Sequence, residues 1–385
     1  MHFELPEEIK EMRNQARRFA QERIAPIVKE DEEAHRFRPE IVREMGELGF
    51  FGTVIPEEYG GLGLENGHMA HVAMTMEIAK VSASWGLPFN MQMLGPALTL
   101  VTFGTPEQKR KYVPGLVSGE LLGSFAMTEP NTGSDVASMK TTAVPTEDGF
   151  VVNGNKTWIS NAQVADVGLL YAKSDPKAEP AHKGISAFIY ELKGNPGIST
   201  VPITGKLGLH CSPTGEVYYE DAKLPREALL VGLGQGFKVC MTQLENTRLS
   251  CAARAVGVAS ACLEVARAYA LERKQFGKRI ADFQMIQADL AEMYVHHQAA
   301  ELLVFKAAWK KDRGEKAGTE VSTAKYFAAE GAVAAANMAI KILGSYGFST
   351  EYPVERFLRD AKSYQIVEGT SNIQKIIISR ALLDE

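Results

Sequence analysis

Three short segments of this sequence gather residue types that can do chemistry. In Gln365-Ile366-Val367-Glu368-Gly369-Thr370-Ser371-Asn372-Ile373-Gln374 a carboxylate precedes a glycine, two hydroxyls and an apolar run. Such a carboxylate can take a proton, or it can be a solvated charge matched to a helix N-terminus capped by Thr370 or Ser371. Spacing alone leaves both readings open. In Ala126-Met127-Thr128-Glu129-Pro130-Asn131-Thr132-Gly133-Ser134-Asp135 small hydroxyl residues surround a proline and a glycine. A loop of this kind can present hydroxyls and backbone N–H groups to a polar ring or a phosphate, or it can be an ordinary turn. In Gly344-Ser345-Tyr346-Gly347-Phe348-Ser349-Thr350-Glu351-Tyr352 two glycines allow a close backbone approach to a ligand, or simply end a helix.

The elements that must position these segments follow a simple order. Near the N-terminus, Ile9, Met12, Ala16, Phe19 and Ile24 recur at helical steps, with Pro26 limiting the helix. Thr105-Pro106-Glu107 reads as a capped helix start. From about Gly123 the texture turns to strands. Ile185–Tyr190 and Glu216–Tyr219 are strand-like, Asp148-Gly149 marks a turn, and Asn153-Gly154 reads as a hairpin turn between two strand-like runs. After Pro225 long proline-free helices are expected over 236–270, 283–311 and 319–343, with wide apolar faces suited to a bundle. The predicted fold is mostly α with a central β domain. A helical domain is expected over 1–123, a β domain over 124–228 and a helical bundle over 229–385.

Bulk properties narrow the function classes. At 385 residues the chain exceeds one typical core, so several domains are expected. A net charge of −5 gives no general attraction to nucleic acid or to anionic membranes. No uninterrupted apolar run reaches the roughly 18 residues of a membrane span, and the N-terminus does not read as a targeting peptide. Cys211, Cys240, Cys251 and Cys262 form no Cys-x-x-Cys pair, so neither zinc nor a disulfide framework is expected, and a reducing cytoplasmic setting fits.

Taken together, the segments resemble the acyl-CoA dehydrogenase family over nearly the whole chain. The 126–135 loop is similar to the family's first signature, and 344–360, with Glu351, Arg356 and Asp360, to its second. Arg273-Lys274-Gln275-Phe276-Gly277 followed by Phe283-Gln284, and Lys206–Thr214, are similar to further family elements. The resemblance implies that the middle domain is β-barrel-like and the C-terminal one a four-helix bundle, in a flavoprotein that holds FAD between the β domain and the bundle, and a homotetramer built as a dimer of dimers. It implies FAD contacts from Phe125, Met127, Thr128, Gly133 and Ser134 in the first loop and from Trp158, Ile159 and Ser160 on a flanking strand. Arg273, Phe276 and Gln284 would serve the FAD of a neighbouring subunit, and Lys341, Gly344, Ser345, Thr370 and Asn372 would complete the site. The chain departs from the pattern at Lys341, Ser345 and Asn372.

For the acyl-CoA thioester, the resemblance implies contacts from Ser134, Gly369, Glu245 and Arg248, with Trp85, Phe89 and Val367 near the acyl chain. Trp85 and Phe89 can equally be core residues. Glu368 falls at the family's base position. The alternative base position, just before Arg248, is Thr247, which cannot take a proton. Glu368 would remove the α-proton while the carbonyl oxygen is held by hydrogen-bond donors, Glu368's backbone N–H among them, and the β-hydrogen would leave as hydride to flavin N5. Electrons would pass on to an electron-transferring flavoprotein. Gly86 stands roughly where glutaryl-specific members carry an arginine, which argues against a dicarboxylic substrate. A short, branched or cyclic acyl group is expected. The competing readings are an acyl-CoA oxidase and a catalytically silent flavin- or CoA-binding protein.

Overall fold

The computed structural model describes residues 4–383. The N-terminal part is helical: α1 Glu7–Phe19, α2 Val28–Ala34, α3 Pro39–Glu47, α4 Gly67–Val81, α5 Leu98–Phe103 and α6 Pro106–Ser118. Ile9, Ala16, Phe19 and Ile24 are buried and Met12 packs beside them, so the periodicity marks a real apolar face. The helix α1 runs on into a π-helical turn, Ala20–Ile24, before Pro26. The start of α6 carries a complete capping box, in which Thr105 Oγ1 accepts from Gln108 N and Gln108 Oε1 accepts from Thr105 N. Between α4 and α5 lies a buried helical stretch, Ser84–Gly86 followed by Phe89–Ala97, that carries residues to the site described below.

The middle of the chain forms one sheet: β1 Gly123–Ala126, β2 Thr142–Pro145, β3 Gly149–Ser160, β4 Val167–Lys173, β5 Ile185–Glu191, β6 Ile198–Pro202, β7 Thr214–Pro225 and β8 Leu229–Leu230. Its order is β6-β7-β3-β2-β4-β5-β8, with β1 parallel to β4. The Asn153-Gly154 pair is not a hairpin turn: it lies inside the continuous strand β3. There the register against β7 slips between Val152 and Gly154. Asn153 exchanges two hydrogen bonds with Asp221, and a Cβ on Gly154 would come within 2.6–2.9 Å of Thr141. The glycine serves a bulge and a close approach of neighbouring strands, a use that shares its local signature with a turn. The true turn is at Asp148-Gly149, between β2 and β3.

The C-terminal part contains α7 Gly236–Glu272, a small hairpin β9 Lys274–Gln275 and β10 Lys278–Arg279, then α8 Gln284–Asp312, α9 Gly318–Leu343, α10 Val354–Tyr364 and α11 Ser371–Leu383. Alanines at 324, 328, 332, 336 and 339 are buried along α9 and pack with Ala252, Ala255 and Ala259 of α7, so the two backbones lie close together. By length and mean hydropathy α7 and the stretch Gly318–Phe348 are apolar enough to cross a membrane, which a search for uninterrupted apolar runs does not detect. Interspersed polar residues shorten the runs, while the mean stays high. In α7, 78% of the most apolar window is buried inside the fold, as for a core helix.

Candidate active site

Glu368 sits in the turn between α10 and α11 with φ 57°, a left-handed conformation that costs a non-glycine residue about 1–3 kcal/mol and persists only where its surroundings over-determine it. Here they do. The Glu368 carbonyl accepts from Arg248 Nε at 2.8 Å and from Gln374 Nε2 at 3.3 Å. The Gly369 carbonyl accepts from Lys325 Nζ at 2.7 Å and from Gln374 Nε2 at 2.9 Å. Glu330 braces the turn from α9, accepting from Gln365 Nε2 and from the Ser371 hydroxyl. Thr370 caps α11 by accepting from Ile373 N.

The clamp aims the Glu368 carboxylate at two donors on other elements. Asn90 Nδ2 donates to Oε1 at 3.1 Å, and the Thr247 hydroxyl donates to Oε2 at 2.6 Å. Burial pushes the pKa of both supporting cations down. Glu368 opposes this at Arg248, and Cys251 and Glu368 oppose it at Lys325. Among the described residues, Glu368's own backbone N–H donates to no protein acceptor, which leaves it available to an oxygen placed beside the carboxylate. A carboxylate and a free N–H on one braced turn, with two hydrogen-bonding side chains from other elements, can take a proton from carbon next to a carbonyl and hold the charge that develops on oxygen.

A second centre surrounds the first loop. Lys156 is fully buried in β3, and its ammonium donates to Met127 O at 3.0 Å and to Glu129 Oε1 at 2.9 Å. The Glu129 carboxylate also accepts from Lys140 N and Thr141 N. Burial pushes the Lys156 pKa down and works against the Glu129 carboxylate, but Lys156 and the amide of Lys140 outweigh that and hold Glu129 below the usual carboxylate range. The ion pair fixes the loop against the strand. Trp158 has φ 60° at a second irregularity of β3 and is turned out of the sheet, 59% exposed, while Ile159 is buried. Thr157 N donates to Thr128 O, tying this edge to the loop. Phe125 is half-buried and Met127 buried, Thr128, Ser134 and Ser160 carry hydroxyls on the same loop and strand end, and Gly133 has open space around it. An exposed indole beside hydroxyls and an open loop backbone fits a flat aromatic cofactor with a phosphate-bearing tail.

The remaining sequence candidates separate. Arg273, Phe276, Gln284, Lys341, Gly344, Ser345 and Asn372 are all exposed. Phe276, 93% exposed, caps the β9–β10 hairpin, and the Lys341 ammonium is engaged by Asp289 at 2.9 Å. Glu245 is not paired with Arg248: it binds Lys311 on α8 at 3.0 Å. Phe89 is a core residue, packed on Phe50, Phe51 and His71, and Trp85 stacks on Phe37. Val367 is 37% exposed beside the base, and Gly369 follows it with φ 87°. Asn90, Lys325, Gln374 and Lys156 were not singled out from sequence. The one available signal was a lysine in the otherwise alanine-rich buried face of α9.

Matches to known proteins cover the same parts. Residues 6–120, 124–222 and 234–383 match models described as the N-terminal, middle and C-terminal domains of acyl-CoA dehydrogenase. The chain is 48% identical over 381 residues to a glutaryl-CoA dehydrogenase from Desulfococcus multivorans, covering 98% of this chain and 97% of the relative. A solved glutaryl-coenzyme A dehydrogenase in complex with glutaryl-CoA superposes with a TM-score of 0.96 at 47% identity, covering 100% of this chain and 97% of the other. A chain in the electron-transferring flavoprotein structure from Acidaminococcus fermentans gives 0.97 at 38% identity, with complete coverage of both.

Proposed function

The chain belongs to the acyl-CoA dehydrogenase family and catalyses FAD-dependent α,β-dehydrogenation of an acyl-CoA thioester, and we propose that Glu368 is the base of that reaction. The observation that carries this reading is the Glu368 carboxylate held between Asn90 and Thr247 on a turn clamped by Arg248, Lys325 and Gln374. Bound FAD supplies the two-electron acceptor for the β-hydrogen. The chain's own residues do the rest. Glu368 takes the α-proton, and its backbone N–H, unused by the protein, holds the thioester oxygen as charge moves onto it. The strained turn is fixed beforehand, so little reorganisation is needed when the proton moves. The product is a trans-2-enoyl thioester.

Phe125, Met127, Thr128, Gly133, Ser134, Trp158, Ile159 and Ser160 would hold the flavin end of FAD, with the indole face and the loop hydroxyls as contacts. Arg273, Phe276 and Gln284 would reach the cofactor of a neighbouring subunit, which their exposure supports. A homotetramer is supported by α8, whose outer face leaves Met285, Tyr294, Val295, Leu302 and Trp309 exposed. The electron acceptor would be an electron-transferring flavoprotein and the setting cytoplasmic. The test is Glu368→Gln. The purified variant should retain FAD and bind acyl-CoA, yet bleach its flavin anaerobically about 10²–10⁴-fold more slowly than wild type. Bleaching at the wild-type rate with a substrate acyl-CoA would remove Glu368 from this role.

A further inference from the structure

The three segments that meet at the Glu368 carboxylate meet again deeper in the fold. Asn90, Thr247 and Glu368 form the upper layer. Four residues before Asn90 is Gly86, seven after Thr247 is Arg254, and four before Glu368 is Tyr364, so the next layer lies one to two helical turns away. Its members touch. A Cβ on Gly86 would lie 2.8 Å from both Cγ and Cδ of Arg254, and the guanidinium lies 5.6 Å from the centre of the Tyr364 ring. Gly86 lacks a side chain where the stem of Arg254 occupies that space.

Arg254 is fully buried, and Nε, Nη1 and Nη2 all lack an acceptor in the protein. The neighbouring Tyr364 hydroxyl is buried and unpartnered as well, as are Trp85 Nε1 beside Gly86 and Asn90 Oδ1 above it. A guanidinium has five N–H donors in a planar fork, and burying it without an acceptor is strongly unfavourable. Packing alone would be served better by methionine. The three segments place this cation one layer below the carboxylate of Glu368, and the two levels are separated by about 6 Å of helix from Asn90 to Gly86. The guanidinium, the Tyr364 hydroxyl and the Trp85 indole N–H are all donors, and an acceptor suited to them is a carboxylate carried a few carbons beyond the α-carbon.

We propose that Arg254 selects the substrate by binding a terminal carboxylate, so that the thioester oxidised is the mono-CoA ester of a short dicarboxylic acid of about five carbons. This rests on the reading of Glu368 as the base. It reverses the expectation drawn from Gly86: an arginine does reach that position, from α7 rather than from the stretch that carries Gly86.

The test compares glutaryl-CoA with valeryl-CoA, equal in chain length but ending in a methyl group, on FAD-loaded wild type, Arg254→Met and Arg254→Lys. Wild type should favour glutaryl-CoA in kcat/KM by roughly 100-fold or more. Arg254→Met should lose that preference by losing glutaryl-CoA turnover while valeryl-CoA turnover holds or rises, and Arg254→Lys should recover part of it. Equal or better use of valeryl-CoA by wild type, or an equal loss of both substrates in Arg254→Met, would overturn the proposal and leave Glu368 as base intact. If Arg254→Met does not retain FAD, the wild-type ratio and Arg254→Lys decide. Flavin that no acyl-CoA bleaches, neutral or acidic, would sink both readings.

Discussion

At the scale of single residues, the site works by denying Glu368 freedom. Its carbonyl and that of Gly369 are each tied twice, to side chains from α7, α9 and α11, and its carboxylate is tied to two further groups. A hydrogen bond to a charged group is worth about 1.5–3 kcal/mol, so losing one loosens the carboxylate without unfolding the chain. Thr247→Val is therefore expected to lower kcat by about tenfold at unchanged FAD content and nearly unchanged melting temperature, read by stopped-flow flavin reduction. Thr247→Ser, which keeps the hydroxyl, should restore most of the rate. Thr247 cannot be a base, but its hydroxyl holds the carboxylate proposed as one.

At the scale of elements, the proposed flavin side is organised by a buried ion pair joining the loop after β1 to strand β3. Lys156 binds both a loop carbonyl and the Glu129 carboxylate, which also gathers the amides of Lys140 and Thr141. Removing one partner of such a pair strands the other charge and costs about 3–5 kcal/mol, whereas removing both charges costs much less. Lys156→Met is expected to release FAD during purification and to lower the melting temperature by several degrees. The double variant Lys156→Met, Glu129→Gln should recover part of both, measured as bound flavin per subunit and by calorimetry. Phe89 and Trp85 belong to this scale as well: they fix the stretch that carries Asn90 and Gly86 by packing in the core of the N-terminal helices.

At the scale of the whole molecule, the helical C-terminal part is joined to the β domain through Asp360 of α10. Its Oδ1 accepts from Leu209 N at 2.6 Å, in the loop before β7. Burial, with the neighbouring Glu32 carboxylate, pushes the Asp360 pKa up to about 7 from an ordinary value of 3.8. Between these two values the folded chain holds a proton that the unfolded chain releases, so stability falls as pH rises through that window and levels off above it. Melting temperatures taken from about pH 5 to pH 8 should show this decline in wild type. Asp360→Asn, which cannot ionise, should flatten it. An unchanged slope in the variant would assign the pH dependence to other groups.

The sequence by itself determined the order of elements and singled out Glu368 as the candidate base. Apolar periodicity, proline and glycine punctuation and the capped start at Thr105 are local properties, and local physics translates them directly into helices and strands. The Gly-Thr-Ser after Glu368 lies within one turn of it, so that motif too is legible along the chain. Tertiary structure decided everything that depends on residues far apart in sequence. Asn90 and Thr247 reach Glu368 across 278 and 121 residues, and Lys325 holds Gly369 across 44. Asn153-Gly154 became a bulge because of its partner strand, and Glu245 turned to Lys311 because α8 packs beside it. The space around Gly86 was not legible for the same reason. Gly86 looked like the loss of an arginine, but its missing side chain is the space that Arg254 fills from another helix.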